Sequence, residues 1–239
     1  EPNFTQTTYV SDPAFNDATG MAWAPDGTNR LFVAMKGGAI RIVQNGALLA
    51  TPFHTEAVLN WSECGLIGIC FDRAFTTGRP YLYAFMTISS SEQIIVRYNA
   101  MGNTQTGRTV LMRGLPTTGD THNGGAIGIG PDHKLYWAIG DNRWGSTGSG
   151  PGLHDTAQLR AKVARANLDG TAPSDNPLYN AADGINHTDY IWATGFRNPF
   201  TMTFHPVTGD LWLNVVGGGA EQVFLVRRND HGGWPNWDG

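Results

Sequence analysis

The residues best suited to chemistry lie in glycine-rich turns, and the first of these turns spans residues 119–125. It places His122 among polar residues, just before a short apolar run. An imidazole at such a position can face a channel and act as a general base. A structural histidine with satisfied hydrogen bonds is the competing interpretation. None of the seven histidines shows a zinc-ligand spacing such as His-Glu-x-x-His, so a zinc site is disfavoured.

Two further turns carry groups of a different chemistry. Arg197 and Asn198 lie in a turn bounded by glycine and proline, where a guanidinium can bind a carboxylate through two hydrogen bonds. An arginine that binds loop carbonyls is the alternative. Near Gly217 and Gly218, consecutive glycines allow backbone carbonyls to turn inward, and Ca²⁺ accepts such oxygens as ligands. A flexible loop is the alternative there.

The strands that must position these turns come from a repeated cassette: an apolar residue, Pro-Asp or a similar pair, a tight turn, and a short apolar strand. Copies occupy residues 23–34, 129–140 and 204–216, with a looser one at 71–85. The spacing of roughly 50–75 residues is typical of one four-stranded propeller blade with variable loops. The cassettes predict an all-β chain, a β-propeller of about four blades in one domain, residues 1–239, with ligand sites at one end of its channel.

Two long segments interrupt the strands, at residues 142–155 and 169–189. Loops of this length in a compact domain are usually functional or disordered. A partial ring of four blades also leaves sheet edges exposed. We therefore expect a protein partner, or self-assembly, that completes the ring or covers the edges.

Composition excludes several classes of protein. With 41% hydrophobic and 15% charged residues, the chain is typical of a folded, loop-rich protein rather than a disordered one. A net charge of −4 and the absence of a basic run argue against nucleic-acid binding. No apolar stretch approaches the roughly 20 residues of a membrane helix, so no membrane span is expected.

The expected location is outside the cytoplasm, either extracellular or periplasmic. The chain begins at Glu1 rather than Met, as though a signal peptide or a longer N-terminal part had been removed. Sequons at Asn3, Asn60 and Asn186 permit a secreted glycoprotein. Cys64 and Cys70 bracket a strand-like run that would separate their sulfurs by about 20 Å. That distance predicts free thiols rather than a disulfide.

Together the motifs resemble a known family. They are, in chain order, SECGLIGICFDRAF (62–75), HNGGAIGIGPDHKLYWAIGD (122–141), AQLRAKVARANLDGT (157–171), DNPLY (175–179), IWATGFRNPFTMTFHPVTGDLWLNVVG (191–217) and GGWPNWDG (232–239). This series is similar to the soluble quinoprotein glucose/sorbosone dehydrogenases, which are six-bladed propellers that bind pyrroloquinoline quinone (PQQ). The similarity covers nearly all of this chain and corresponds to the first two-thirds of such a protein.

The resemblance implies a set of roles. His122 matches the general base that takes the proton from the anomeric hydroxyl of a sugar while hydride passes to the quinone. Arg197 and Asn198 match cofactor contacts, and Glu63 stands loosely where the family has a cofactor-contacting Gln. The carbonyls of Gly217 and Gly218 are nearest to the family's Ca²⁺ ligands. A diffusible or protein electron acceptor would complete the reaction.

Departures from the family pattern keep other functions open. Thr121 replaces the acidic residue that often precedes the catalytic histidine, and Ala126 replaces an arginine; the closing blades are absent. A non-catalytic extracellular propeller, serving as a binding module or scaffold, is the main alternative. A Ca²⁺-dependent hydrolase is another, and it would use Asp141, Asn123 and Glu221.

Overall fold

Residues 4–143 and 156–237 are described by the computed structural model of this protein, and they form four antiparallel sheets. The first two sheets follow one another along the chain. The first contains β1 (Ala18–Trp23), β2 (Arg30–Met35), β3 (Ala39–Gln44), β4 (Ala47–Leu48) and β5 (His54–Thr55). The second contains β6 (Leu66–Phe71), β7 (Tyr81–Ser89), β8 (Glu92–Met101) and β9 (Thr104–Leu115).

The other two sheets repeat the same meander. The third contains β10 (Ile127–Ile129), β11 (Leu135–Ile139), β12 (Lys162–Ala166) and β13 (Ile191–Thr194). The fourth contains β14 (Pro199–Phe204), β15 (Leu211–Val215) and β16 (Gln222–Val226). The described helices are short 3₁₀ turns at Pro13–Phe15, Phe75–Thr77 and His187–Tyr190, and none is long or apolar enough to span a membrane. The prediction of an all-β chain with about four blades is confirmed.

The cassettes form hairpins because their turn residues hydrogen-bond locally. In the first sheet, Thr28 donates to Asp26 Oδ1 through its N–H (3.1 Å) and its hydroxyl (2.5 Å). Gly27 between them adopts φ +73°, which a glycine accepts without strain. In the third sheet the N–H of Lys134 donates to Asp132 Oδ1 at 3.2 Å. The Pro-Asp turn, stabilised by these local hydrogen bonds, thus connects the first two strands of the blade in an antiparallel hairpin.

Each blade packs against the next through the alternating faces of its strands. Leu82 of β7 belongs to the apolar cluster with Phe32 of the first sheet. Its neighbour Tyr83 faces the other way and packs with Trp137 of the third sheet. In the same manner Tyr136 belongs to the cluster shared with the fourth sheet. Successive side chains of a strand point to opposite faces, so one strand contributes to two inter-blade cores.

The first strands of the four sheets approach closely around a channel. A Cβ atom on Gly68 of β6 would lie 2.3 Å from the carbonyl oxygen of Gly125, just before β10. Gly125 itself has φ +139°, a conformation that other residues rarely adopt. The channel has a volume of about 320 Å³ and is lined by residues 19–21, 67–69, 125–127 and 200–202. These glycines permit the inner strands to come together.

Apolar side chains are exposed at both ends of the blade series, and Met21 of β1 in the first sheet is 72% exposed. Val10 and Phe15 cover the outer face of the first sheet by packing on its cluster of apolar residues. On the fourth sheet Trp212 is 39% exposed and Val223 is 64% exposed. These side chains lie on the faces of the strands. The exposed sheet edges expected of a partial ring, and a partner that covers them, stay predictions.

One of the two predicted long loops and both cysteines can be compared with their predictions. Most of the loop predicted at residues 142–155 lies outside the described residues. The segment 169–189 carries mainly exposed or half-buried residues, in agreement with a long insertion. Cys64 and Cys70 are free thiols, as predicted. Burial raises the pKa of both thiols.

A carboxylate links the first two blades. Glu56 accepts hydrogen bonds from Tyr98 Oη (2.7 Å) and from Arg108 Nε (2.6 Å) and Nη2 (3.2 Å). Burial acts to raise the pKa of Glu56, but the bonds from Arg108 and Tyr98 outweigh it, so this pKa lies below its ordinary value of 4.5. The ionised form therefore contributes stability above pH 4.5, and the contribution is lost as the pH falls through the lower pKa of the folded state.

We predict that Glu56→Ala lowers the free energy of unfolding at pH 7 by about 1–3 kcal/mol, because Tyr98 and Arg108 lose their acceptor. Urea unfolding of the variant and the wild type measures this difference. The difference should shrink on acidification below pH 4.5. Glu221→Ala, at an exposed position, is the control and should change stability by less than about 0.5 kcal/mol. A pH-independent difference would refute the role of the ionised carboxylate.

Candidate functional site

His122 and Asp141 form a buried pair at the centre of the candidate site. The distance from His122 Nδ1 to Asp141 Oδ1 is 2.6 Å, and the two residues are 7% and 0% exposed. His122 comes from the loop between β9 and β10, and Asp141 follows β11. Because an ionised carboxylate only accepts hydrogen bonds, Nδ1 carries the proton and Nε2 is left as an acceptor. No described residue hydrogen-bonds to Nε2.

The main chain fixes Asp141 in place. Its Oδ1 also accepts the N–H of Arg143 at 2.7 Å, and its own N–H donates to the carbonyl of Arg197 at 2.8 Å. The other carboxylate oxygen, Oδ2, is buried without a hydrogen-bond partner among the described residues. Within the described chain, His122 is thus the only side chain that donates to Asp141. This arrangement orients the imidazole and would stabilise it in its protonated form.

The backbone of His122 is held in an unusual conformation. Its φ is +56°, in the left-handed region that costs a non-glycine residue of order 1 kcal/mol or more. The carbonyl accepts hydrogen bonds from Asn142 Nδ2 (3.0 Å) and N–H (3.3 Å). Asn142 is in turn oriented by Arg160, whose Nε donates to Asn142 Oδ1 at 3.1 Å. Burial lowers the pKa of Arg160.

Glu63 and Asn198 lie directly beside this loop. Glu63 Oε2 accepts the N–H of His122 at 2.8 Å and Asn198 Nδ2 at 3.1 Å. Asn198 Oδ1 accepts the N–H of Gly124 at 3.2 Å. Three of the residues singled out in the sequence therefore meet in one hydrogen-bonded group, although they come from three different loops.

Arg197 lies next to the glycine loop. Its Nη1 donates to the carbonyl of Val216 at 2.9 Å, and its guanidinium lies 5.6 Å from the centre of the Trp234 ring. Gly217 is half-buried and Gly218 is exposed, immediately after Val216. The structure thus realises the alternative of an arginine that binds a loop carbonyl, through one of its nitrogens. It also brings the predicted anion-binding and carbonyl-rich turns together.

The described residues contain no group of three or more His, Cys, Asp or Glu side chains that could hold a metal ion. The three residues suggested for a Ca²⁺-dependent hydrolase include only two such side chains, so that alternative stays a prediction. Asp141 is committed to His122, and Glu221 is exposed. A Ca²⁺ ion bound by the backbone carbonyls of Gly217 and Gly218 is a different kind of site and stays a prediction.

Sequence reasoning missed the partner of His122. Thr121 replaces the acidic residue that the family often has before this histidine, but the orienting carboxylate comes from Asp141, nineteen residues further along the chain. The Gly-Asp-Asn run that ends the third-blade cassette was the available signal. Thr121 Oγ1 is buried and has no hydrogen-bond partner among the described residues.

Comparison with known proteins identifies the family. The model of the glucose/sorbosone dehydrogenase family matches residues 15–239. This chain belongs to that family. Quinoprotein glucose dehydrogenase B of Acinetobacter calcoaceticus is 29% identical over an alignment of 262 positions, which covers 98% of this chain and 53% of that protein. An aldose sugar dehydrogenase of Escherichia coli K12 is 25% identical, over 90% of this chain and 58% of that protein.

Solved structures share the fold. An oxidoreductase of Thermus thermophilus, described as a glucose dehydrogenase, superposes with a TM-score of 0.80 at 28% identity, covering 93% of this chain and 65% of that one. The PQQ-bound aldose sugar dehydrogenase of Streptomyces coelicolor gives a TM-score of 0.78 at 24% identity, covering 94% and 64%. This member of the family spans about half the length of the curated relatives that it matches.

We predict that Asp141→Ala changes the tautomer of His122. The Nδ1–H donates to Asp141 Oδ1, and without this acceptor the imidazole proton is no longer held at Nδ1 and moves to Nε2. The ¹⁵N chemical shifts of histidine-labelled protein distinguish the two tautomers. Asp210→Ala, in the turn before β15, is the matched control and should leave the His122 shifts in place. Retention of the Nδ1-protonated form in Asp141→Ala would argue against the assigned pair.

Proposed function

We propose that this chain forms the base-bearing part of a PQQ-dependent sugar dehydrogenase, with His122 as the general base. The observation that carries this proposal is the buried His122–Asp141 pair beside Arg197 and Asn198, in a chain of the glucose/sorbosone dehydrogenase family. A relative is named as a quinoprotein glucose dehydrogenase, and a structural neighbour is described as PQQ-bound. Both descriptions support the same cofactor here.

In the proposed reaction, His122 Nε2 is the atom that accepts the proton of the substrate. Because Nδ1–H donates to Asp141, Nε2 is the basic nitrogen and accepts the proton of the anomeric hydroxyl of the sugar. Asp141 then stabilises the imidazolium, since the two charged groups are joined by a 2.6 Å hydrogen bond in a buried environment. The missing acidic residue at Thr121 does not prevent this step, because the carboxylate is supplied from elsewhere.

The residues present fit a flat anionic cofactor. Arg197 is a half-buried cation beside the Trp234 ring, a setting that suits a carboxylate group. Asn198 is 2% exposed and is fixed through both ends of its amide. The Glu63 carboxylate opposes an anion, as does that of Asp141, but Glu63 Oε2 already accepts two hydrogen bonds and Asp141 is paired with His122. Bound PQQ supplies the two-electron acceptor for the hydride.

The donor set near the glycine loop fits a hard cation. The carbonyls of Gly217 and Gly218 follow Val216, whose own carbonyl is taken by Arg197. Oxygen ligands of this kind are the ones that Ca²⁺ prefers. We place Ca²⁺ at these two carbonyls, with further ligands from outside them.

The remaining parts of the proposal concern partners and location. The substrate is a sugar, and a diffusible or protein electron acceptor receives the electrons. The protein works outside the cytoplasm, in an extracellular or periplasmic setting. The non-catalytic scaffold, the main alternative from the sequence, needs no oriented base; the buried His122–Asp141 pair supports the enzyme instead.

We predict that the Ca²⁺-loaded protein binds PQQ in a calorimetric titration and reduces a dye when a sugar is added. Chelation of Ca²⁺ with EDTA should abolish the dye reduction. His122→Ala should lower turnover by about 10²–10⁴-fold, the usual contribution of a general base. His205→Ala, on an exposed turn, is the matched control. Failure of the folded wild type to bind PQQ would favour the scaffold.

We also predict that Arg197→Ala weakens PQQ binding by about 10–100-fold, the loss of a charge-assisted hydrogen bond worth about 1.5–3 kcal/mol. Arg197→Lys should recover only part of the affinity, because an ammonium cannot bind a carboxylate through two parallel hydrogen bonds. The exposed Arg227→Ala serves as the control. Equal affinity in Arg197→Ala and the wild type would remove this residue from the cofactor site.

A further inference from the structure

One carboxylate joins the three loops of the candidate site. Glu63 lies in the connection between the first and second sheets, His122 between the second and third, and Asn198 between the third and fourth. Glu63 Oε2 accepts from His122 N–H and from Asn198 Nδ2, at 2.8 and 3.1 Å. We propose that Glu63 is a positioning residue, which holds the main chain of His122 and the side chain of Asn198 in one geometry. The role assigned to His122 rests on the proposed function.

The strained backbone of His122 explains why an acceptor is needed there. At φ +56° the residue leaves the strand conformation, so its N–H has no partner in a sheet. The N–H of a residue that is 7% exposed must still be satisfied. Glu63 supplies the acceptor on this side of the residue, and Asn142 holds the carbonyl on the other side. The two contacts together keep the conformation that directs the imidazole to Asp141.

Asn198 can be held by Glu63 because the hydrogen bonds of its side-chain amide allow only one orientation. Its Oδ1 accepts the N–H of Gly124, so its Nδ2 must face Glu63. The Gly124 backbone is itself tightly packed, since a Cβ there would lie 2.2 Å from the carbonyl oxygen of Ala138. The loop of His122 is therefore linked to Asn198 in two ways: by the hydrogen bond from the Gly124 N–H to Asn198 Oδ1, and through the Glu63 carboxylate that both His122 and Asn198 share.

The two carboxylate oxygens of Glu63 differ in their hydrogen bonds, and this difference makes the positioning role testable. Oε2 accepts both bonds, whereas Oε1 accepts none from the described residues. A glutamine keeps one carbonyl oxygen, which can take the place of Oε2 and accept the same two donors. Aspartate is one methylene shorter and cannot reach both. We therefore expect the His122 main chain and the Asn198 side chain to be held best in the wild type, then in Glu63→Gln, less well in Glu63→Asp and least in Glu63→Ala.

The experiment uses ¹⁵N-histidine-labelled full chain, with the resonances of His122 assigned by difference against His122→Ala. In Glu63→Ala we expect the His122 amide proton to exchange with solvent at least about tenfold faster, because its acceptor is lost, and its imidazole resonances to shift. Glu63→Gln should retain the wild-type behaviour. Glu92→Ala is the matched control, because Glu92 also accepts a backbone N–H, that of Gly114 at 3.1 Å, but on the second blade. If Glu63→Ala does not fold, Glu63→Asp provides the same comparison.

Activity gives a second, separate readout. In PQQ-loaded protein, loss of positioning should lower kcat with little change in KM, and Glu63→Gln should restore kcat. Unchanged His122 exchange and imidazole shifts in a folded Glu63→Ala or Glu63→Asp would overturn the inference. Dye reduction that is absent from the wild type would overturn the proposed function alone, since the magnetic resonance measurement requires neither cofactor nor turnover.

Discussion

The packing of the inner sheets between two neighbouring sheets is the constraint on which this structure depends. A strand in the middle of a blade must be apolar on both faces, because one face meets the preceding blade and the other meets the next. All five residues of β11, in the third sheet, are buried. All six of β2, in the first sheet, are buried too, because Val10 and Phe15 cover the face that no other blade meets. Polar groups are thereby driven to the ends of the strands, where the loops from successive blades meet.

The candidate site is a consequence of that arrangement. Its side chains come from connections between blades, and no single blade contains them all. His122, Asn142 and Ala161 have positive φ, and each lies at or beside a main-chain contact between these connections. Conformations of this cost persist only where surrounding contacts hold them. At His122 these contacts are the buried bond to Asp141 and the bond from its N–H to Glu63, and at Ala161 they are main-chain bonds with Gly140 and Gly195.

Local chemistry in the sequence was sufficient to predict several features. The Pro-Asp turns form as expected, since Asp26 and Asp132 bind residues two positions away. The family motifs identified His122 and Asn198, which indeed lie together through Glu63 and Gly124. Asp141 was missed as the partner of His122, because a family expectation directed attention to Thr121. The closure of a nineteen-residue connection onto one hydrogen bond has no signature in the local pattern.

The sequence by itself determined the kind of fold and the family, because turns and strand alternation depend on residues close together in the chain. It also named the residues whose types suit a base, an anion contact and a carbonyl-rich loop. Only the tertiary structure decided which atoms face one another. It assigned Asp141 to the imidazole, Val216 to Arg197, and both donors to a single oxygen of Glu63. These pairings depend on the angle and spacing between blades, which are set by the packing of apolar faces far apart in the chain.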